Sequence, residues 1–145
     1  MIEATKLLKS FNGHPVFNEL SLTVKKGETL VIIGRSGCGK SVFLKHLIGI
    51  LKPDKGEILI DGINIAGLSS KKINKLRLRF GMLFQGSALF DSMTVGENVG
   101  FSLTEHTELS QTAIREHVKE SLGLVGLEGI EDMKPSELSG GMKKR

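Results

Sequence analysis

Leu22 and Val24 alternate with Ser21 and Thr23, which makes one face of that segment apolar and the other polar. A period of two marks a half-buried strand, and it predicts antiparallel strands over 2–8 and 21–24 flanking the Asn12-Gly13 turn. Lys25-Lys26-Gly27-Glu28 makes a turn, after which Leu30-Val31-Ile32-Ile33 is apolar without alternation, the pattern of a central strand covered on both faces. Glycines 34, 37 and 39 follow, and Val42, Phe43, Leu47 and Ile50 then predict a helix from about Lys40 to Ile50 with that face packed. Pro53 and Gly56 break it. Glu57-Ile58-Leu59-Ile60 leads into Asp61-Gly62, which suits a type I′ hairpin turn, and Ile63 and Ile65 return the strand. A basic helix is expected over Ser70–Arg77 and a short strand from Phe80 to Phe84, ending at Gln85. Thr94 with Glu97 forms a capping-box candidate, and Ile114, Val118 and Leu122 set an amphipathic helix from Ser110 to about Leu124.

At 145 residues, with 39% hydrophobic and 25% charged positions, the chain has the make-up of one compact globular domain. One cysteine cannot close an internal disulfide and no signal-peptide pattern opens the sequence, so a cytosolic protein is expected. No apolar run approaches the roughly 18 to 20 residues of a spanning helix, and direct membrane insertion is not expected. The net charge of +4 is uneven, with nine basic and five acidic residues over 1–60 against six and eight over 101–145. Positive potential in the first half suits an anion there. With neither Trp nor Tyr, the chain lacks the best platforms for stacking bases, and nucleic acid is not an expected partner.

The anion has a place in the pattern. Gly34-Arg35-Ser36-Gly37-Cys38-Gly39-Lys40-Ser41 reads GxxxxGKS between an apolar strand and a helix, the context of a Walker A phosphate loop. Small residues let successive backbone N–H groups converge on phosphate oxygens, while the helix start adds unpaired donors and about half a positive charge. Lys40 reaches the β- and γ-phosphates as a point charge, and the Ser41 hydroxyl suits Mg²⁺, which prefers oxygen ligands. A nucleoside triphosphate with Mg²⁺ is the expected ligand; the plain alternative is a glycine-rich turn with an incidental lysine. Cys38 reads as a small loop filler without a redox role.

Leu138-Ser139-Gly140-Gly141-Met142, preceded by Pro135-Ser136-Glu137, closely resembles the signature motif of ATP-binding-cassette (ABC) ATPases, whose usual form ends in Gln. Gln85 matches the family's Q-loop glutamine, and Phe11 stands where an aromatic packs on adenine. The likeness covers essentially the whole chain, and Met142 with the run from Gln85 to Val95 resembles the ATPase subunit of maintenance-of-lipid-asymmetry phospholipid transporters.

The resemblance implies an α/β fold, a P-loop NTPase of ABC type with an antiparallel β subdomain, a P-loop core and a helical subdomain, incomplete at the C-terminus and divided at about 84/85. It implies ATP and Mg²⁺ as cofactors, Lys40 and Gln85 as catalytic residues, and Ser41 and Gln85 as metal contacts. Ser139, Gly140, Gly141 and Met142 would face the nucleotide of a second ATP-binding subunit, so that a two-fold dimer encloses two nucleotides. An integral membrane permease would dock on residues 86–103, with the chain peripheral on the cytoplasmic face of the inner membrane.

Other readings stay open on the residues themselves. Phe11 also suits a core aromatic near a hairpin, and Gln85 an ordinary polar strand end. Lys71, Lys72, Lys75, Arg77 and Arg79 suit a solvated face, with anionic lipid headgroups as a second option. Ile58-Leu59-Ile60-Asp61 imitates the family's Asp-ended metal strand, but Gly62 follows in place of Glu. In the family that Asp, a water-orienting Glu and a switch His come after the signature; none of His14, His46, His106 or His117 stands there, and all four are expected at the surface or in structural roles. The chain is thus expected to be truncated and inactive alone. The competing functions are an ABC ATPase for another cargo, a nonhydrolytic nucleotide-binding module, and a P-loop GTPase or kinase, whose NKxD motif is missing its Asp in Asn74-Lys75-Leu76-Arg77.

Overall fold

The computed structural model describes residues 1–145, in two units, Met1–Gly81 and Met82–Arg145, against an expected division at 84/85. In the first, four antiparallel strands, β1 (Ile2–Phe11), β2 (His14–Val24), β3 (Lys55–Ile60) and β4 (Ile63–Asn64), form one sheet in the order β2-β1-β3-β4. The first two run further than the alternation alone indicates, because the ladder continues to Phe11 opposite His14 at the hairpin tip. Asn12 and Gly13 have φ of 50° and 80°, and Asp61 and Gly62 of 48° and 79°, the paired positive values that a type I′ turn requires. Asp61 therefore belongs to a hairpin and imitates the metal strand in sequence only.

One face of the sheet buries Ala4, Leu7, Phe17, Ile58 and Ile60 in a cluster with Phe43 and Leu47 of helix α1 (Lys40–Leu47) and Leu76 of helix α2 (Ser70–Arg77). Each large apolar side chain so buried contributes about 1.5–3 kcal/mol. Helix α1 stops short of Ile50, which is exposed; His46 turns inward instead, its Nδ1 donating to the Val42 carbonyl at 2.7 Å. The end is closed by Arg77, whose Nε and Nη2 donate to the carbonyls of Ile48 and Gly49 at 3.0 and 3.1 Å. Arg79 donates to Asp61. Two of the five basic residues expected on a solvated face thus hold the fold together, and Lys71, Lys72 and Lys75 remain exposed.

Two expected strands are absent. Residues 30–33 and 80–84 have no ladder partner, and Val31 and Ile33 are 73% and 91% exposed. A non-alternating apolar segment becomes a strand only between neighbours that supply hydrogen bonds and cover both faces. The four strands present pair among themselves in a separate antiparallel sheet.

The second unit is built on helices α3 (Val95–His106) and α4 (Gln111–Leu124). The capping box forms at the start of α3: Thr94 Oγ1 accepts from the Glu97 N–H at 3.1 Å, and Glu97 Oε2 from the Thr94 N–H at 2.6 Å. Ile114, Val118 and Leu122 are buried with Val95, Leu127 and Leu138, as the apolar stripe predicts. No helix is long and apolar enough to cross a membrane.

Exposed Val31 and Ile33 beside unpaired backbone make residues 30–33 a template for strand pairing. We predict that a polypeptide of residues 1–145 self-associates with rising concentration and that Val31→Lys or Ile33→Lys suppresses this. Light scattering across a dilution series checks it, and an invariant monomer would contradict it.

Acid should loosen the first unit. The hydrogen bond from Lys9, first, and those from Ser10 hold the Asp54 carboxyl below its ordinary 3.8. The N-terminal amine, then Arg79, do the same for Asp61. Groups with depressed folded-state pKa stabilise above the unfolded value and lose that contribution as pH falls through the folded one. Asp54→Asn and Asp61→Asn should each flatten the fall of the thermal midpoint below pH 3.8; curves parallel to the parent would refute this.

Candidate functional site

The loop expected to hold phosphate, residues 34–41, turns into α1 at Gly39, which is buried and adopts φ 98°. A Cβ there would lie 2.6 Å from Val16 Cγ1 and 3.0 Å from Phe17 Cε1, so only glycine lets the loop pack this closely against β2. Phe17 in turn meets Phe43 and His46 edge-on, with ring centroids 6.2 and 5.5 Å apart. At Gly34 a Cβ would strike Cys38 Sγ at 2.6 Å, although Cys38 is itself exposed. Arg35, Ser36, Gly37 and Cys38 are exposed around the loop.

Within this loop the Cys38 N–H bonds to the Arg35 carbonyl at 3.3 Å, whereas the amides of Gly37, Gly39, Lys40 and Ser41 have no acceptor in the chain. No side chain caps α1. The Lys40 ammonium is held above the loop by the carbonyls of Gly34 and Arg35, both at 2.8 Å. Unpaired amides at a helix start, an adjacent ammonium and the exposed Ser41 hydroxyl form a donor set suited to a phosphate chain and its metal ion.

Phe11 is 42% exposed at the tip of the β1–β2 hairpin, which sets aside the core reading. The Lys9 ammonium lies 5.3 Å from its ring centroid. Sequence spacing gives no hint of what fixes this corner: Lys9 pairs with Asp54, 45 positions away, at 2.7 Å.

Gln85 and residues 139–142 belong to the second unit. Gln85 ends no strand but sits exposed in a turn closed by the Ser87 N–H on the Phe84 carbonyl at 3.3 Å. Further along, Asn98 of α3 fastens residues 90–94, accepting from the Phe90 N–H at 2.8 Å and donating to the Thr94 carbonyl at 2.8 Å. Ser139 Oγ accepts from the Met142 N–H at 3.2 Å, and Gly140 and Gly141 are exposed. Where the start of a helix is expected, Met142–Lys144 make a single 3₁₀ turn. A largely apolar pocket of about 270 Å³ is lined by Leu89, Val95 and Val99 together with Leu138 and Met142.

A family profile described as ABC transporter matches residues 17–145. The chain is 49% identical over 144 residues to the "Probable ribonucleotide transport ATP-binding protein mkl" of Mycobacterium tuberculosis, covering 99% of this chain and 40% of that protein. It is 43% identical over 145 residues to the intermembrane phospholipid transport system ATP-binding protein MlaF of Haemophilus influenzae, covering 100% and 55%. Among solved structures, a dimeric ATP-binding cassette in a post-hydrolysis state with ADP and Pi superposes with a TM-score of 0.89 at 30% identity, over 99% of this chain and 65% of that one. The chain thus spans between 40% and 55% of the length of these two curated relatives.

Two glycines of the loop should respond differently to a methyl group. Gly37 has φ 81° but open space where a Cβ would go, while Gly39 adds a clash to its positive φ. Gly37→Ala should cost about 1–2 kcal/mol from backbone strain alone, and Gly39→Ala about 2–5 kcal/mol once overpacking is added. Urea unfolding measures both; equal losses would contradict the contact with β2.

Proposed function

Since the chain belongs to the ABC transporter family and has the α/β fold of its ATP-binding cassettes, we propose that it is the nucleotide-binding part of a transporter motor subunit that hydrolyses ATP to move phospholipid between membranes. The observation that carries this is the junction of loop and helix α1, where the amides of Gly37, Gly39, Lys40 and Ser41 lack acceptors and the Lys40 ammonium is held beside them by two loop carbonyls. Those amides bind the phosphate chain, Lys40 takes the charge of its outer phosphates, and the Ser41 hydroxyl ligates the metal. Mg²⁺ held through the Ser41 hydroxyl would supply charge neutralisation at the phosphate chain. Phe11 offers its exposed ring to adenine, and Gln85, a neutral amide on a turn, is the metal- and water-sensing contact.

Ser139, Gly140, Gly141 and Met142 serve the nucleotide of a second subunit. Met142 replaces an amide by a thioether and keeps the backbone donors, so its part is in fine positioning. Residues 86–103, within which Asn98 of α3 fastens residues 90–94 and which border the apolar pocket, dock the membrane permease. In this reading the subunit is peripheral on the cytoplasmic face of the inner membrane, and hydrolysis draws on a metal-binding Asp, a water-orienting Glu and a switch His that come after the signature motif in the full-length protein. Phospholipid is favoured as cargo by the likeness to MlaF, and the ribonucleotide named for the mycobacterial relative is the alternative.

Titrating the full-length protein with Mg-ATP should give saturable binding. Truncating the ammonium with Lys40→Ala should weaken it by about 2–5 kcal/mol, roughly 30-fold or more. Absence of saturable uptake would overturn the reading. For the cargo, the subunit purified from membranes should bring an integral permease and bound phospholipid, and a complex free of lipid would favour the alternative.

A further inference from the structure

The hairpin tip that carries Phe11 is tied down by one small polar cluster. Lys9 Nζ donates to Asp54 Oδ1 at 2.7 Å and to the Lys52 carbonyl at 3.0 Å. The other carboxylate oxygen of Asp54 accepts from the Ser10 N–H at 2.8 Å and from Ser10 Oγ at 3.2 Å, and the Asp54 N–H donates to the Leu8 carbonyl at 2.8 Å. The backbone on both sides of Lys9 is thus fastened to residues 52–54, which lie just beyond the helix that leads out of the phosphate loop. Only 15% of the Lys9 side chain is exposed, unusual for a lysine, and its ammonium stands 5.3 Å from the centre of the exposed Phe11 ring.

From this geometry we infer that Lys9 is a positioning residue for nucleobase stacking: it holds Phe11 from one face and leaves the other to a purine. The inference rests on the proposed role of Phe11. A phenylalanine at an exposed tip otherwise spreads over several rotamers, and stacking must then overcome that freedom. The anchored ammonium removes part of this cost in advance by attraction to the ring face. Asp54 fixes the ammonium, so the device has three members in series, Asp54, Lys9 and Phe11. Acting through the ring face alone, the device favours a purine by stacking area and leaves the phosphate loop untouched.

The test uses the full-length protein titrated with two probes, Mg-ATP and magnesium tripolyphosphate, which shares the phosphate chain and has no base. Phe11→Ala should weaken ATP about ten-fold and leave tripolyphosphate unchanged. Lys9→Met should weaken ATP roughly two- to five-fold, spare tripolyphosphate, and add nothing in the Phe11→Ala background. Lys9→Arg, which keeps the cation, should restore most of the loss. Should Lys9→Met fail to fold, Asp54→Asn, which keeps an acceptor for Ser10, should show the same ATP-only loss at smaller size. If Phe11→Ala leaves ATP binding intact, base stacking on Phe11 fails and the role of Lys9 with it. If Phe11→Ala weakens ATP but Lys9→Met does not, or weakens both probes alike, or adds fully to Phe11→Ala, the stacking reading stands and the role of Lys9 is overturned.

Discussion

Gly39 stands at the start of α1 with φ 98° and room for nothing larger than hydrogen on the side that meets Val16 and Phe17. That contact joins three things that would otherwise be independent: the antiparallel sheet, the phosphate loop and the helix. Phe17 is buried by the sheet and by the rings of Phe43 and His46, so the strand presents a firm wall. Against it, the loop has to turn where Gly39 turns, and the first amides of the helix emerge beside the Lys40 ammonium. A side chain at this position would push the loop off β2 and separate the donors from one another.

The opposite end of the same helix is fixed by charge. Arg77 donates to the carbonyls of Ile48 and Gly49, which helix geometry leaves without intrahelical partners, and its positive charge suits the negative end of the helix dipole. Beyond that end, Asp54 reaches back to β1. Helix α1 is therefore clamped at its N-terminus by steric fit and at its C-terminus by hydrogen bonds. The exposed Ser36, Gly37 and Cys38 ahead of the helix can stay small because neighbouring elements, not their own side chains, determine where they sit.

Most of this architecture was legible in the sequence where the signal is local. Paired Asn-Gly and Asp-Gly turns, the Thr94–Glu97 box and the stripe of Ile114, Val118 and Leu122 each depend on residues within a few positions of one another, and each forms as the pattern indicates. The run from Gly34 to Ser41 is likewise legible as a glycine-rich loop leading into a helix, and the helix starts at Lys40 as that pattern indicates. What the pattern misjudged depends on distant partners. Leu30–Ile33 and Phe80–Phe84 carry strand composition, yet a strand exists only with a neighbour. Lys9 with Asp54, and Arg77 with the end of α1, join segments tens of residues apart, and a lone lysine or arginine gives no sign of a carboxylate or carbonyl so far along the chain. His46 takes the inward place expected of Ile50 because Gly49, at φ 66°, turns the chain away first.

The helix starts show how one piece of physics serves opposite ends. Every helix leaves its first amides unpaired, with a partial positive charge around them. At α3 the Thr94 hydroxyl and the Glu97 carboxylate take up that capacity, and at α4 the Ser110 hydroxyl does so. At α3 the amides of Val95 and Gly96 are taken as well, by the carbonyls of Met133 and Glu131. Helix α2 also lacks a capping side-chain bond, so an uncapped start is not by itself a binding site. What α1 adds is the left-handed Gly39, which brings a loop of small residues back over the helix end, and an ammonium held there by two carbonyls of the loop itself. On the proposed function, that combination would set the position of the anion: amides that the chain leaves without acceptors, a turn at a glycine in the left-handed region, and one charge held beside them.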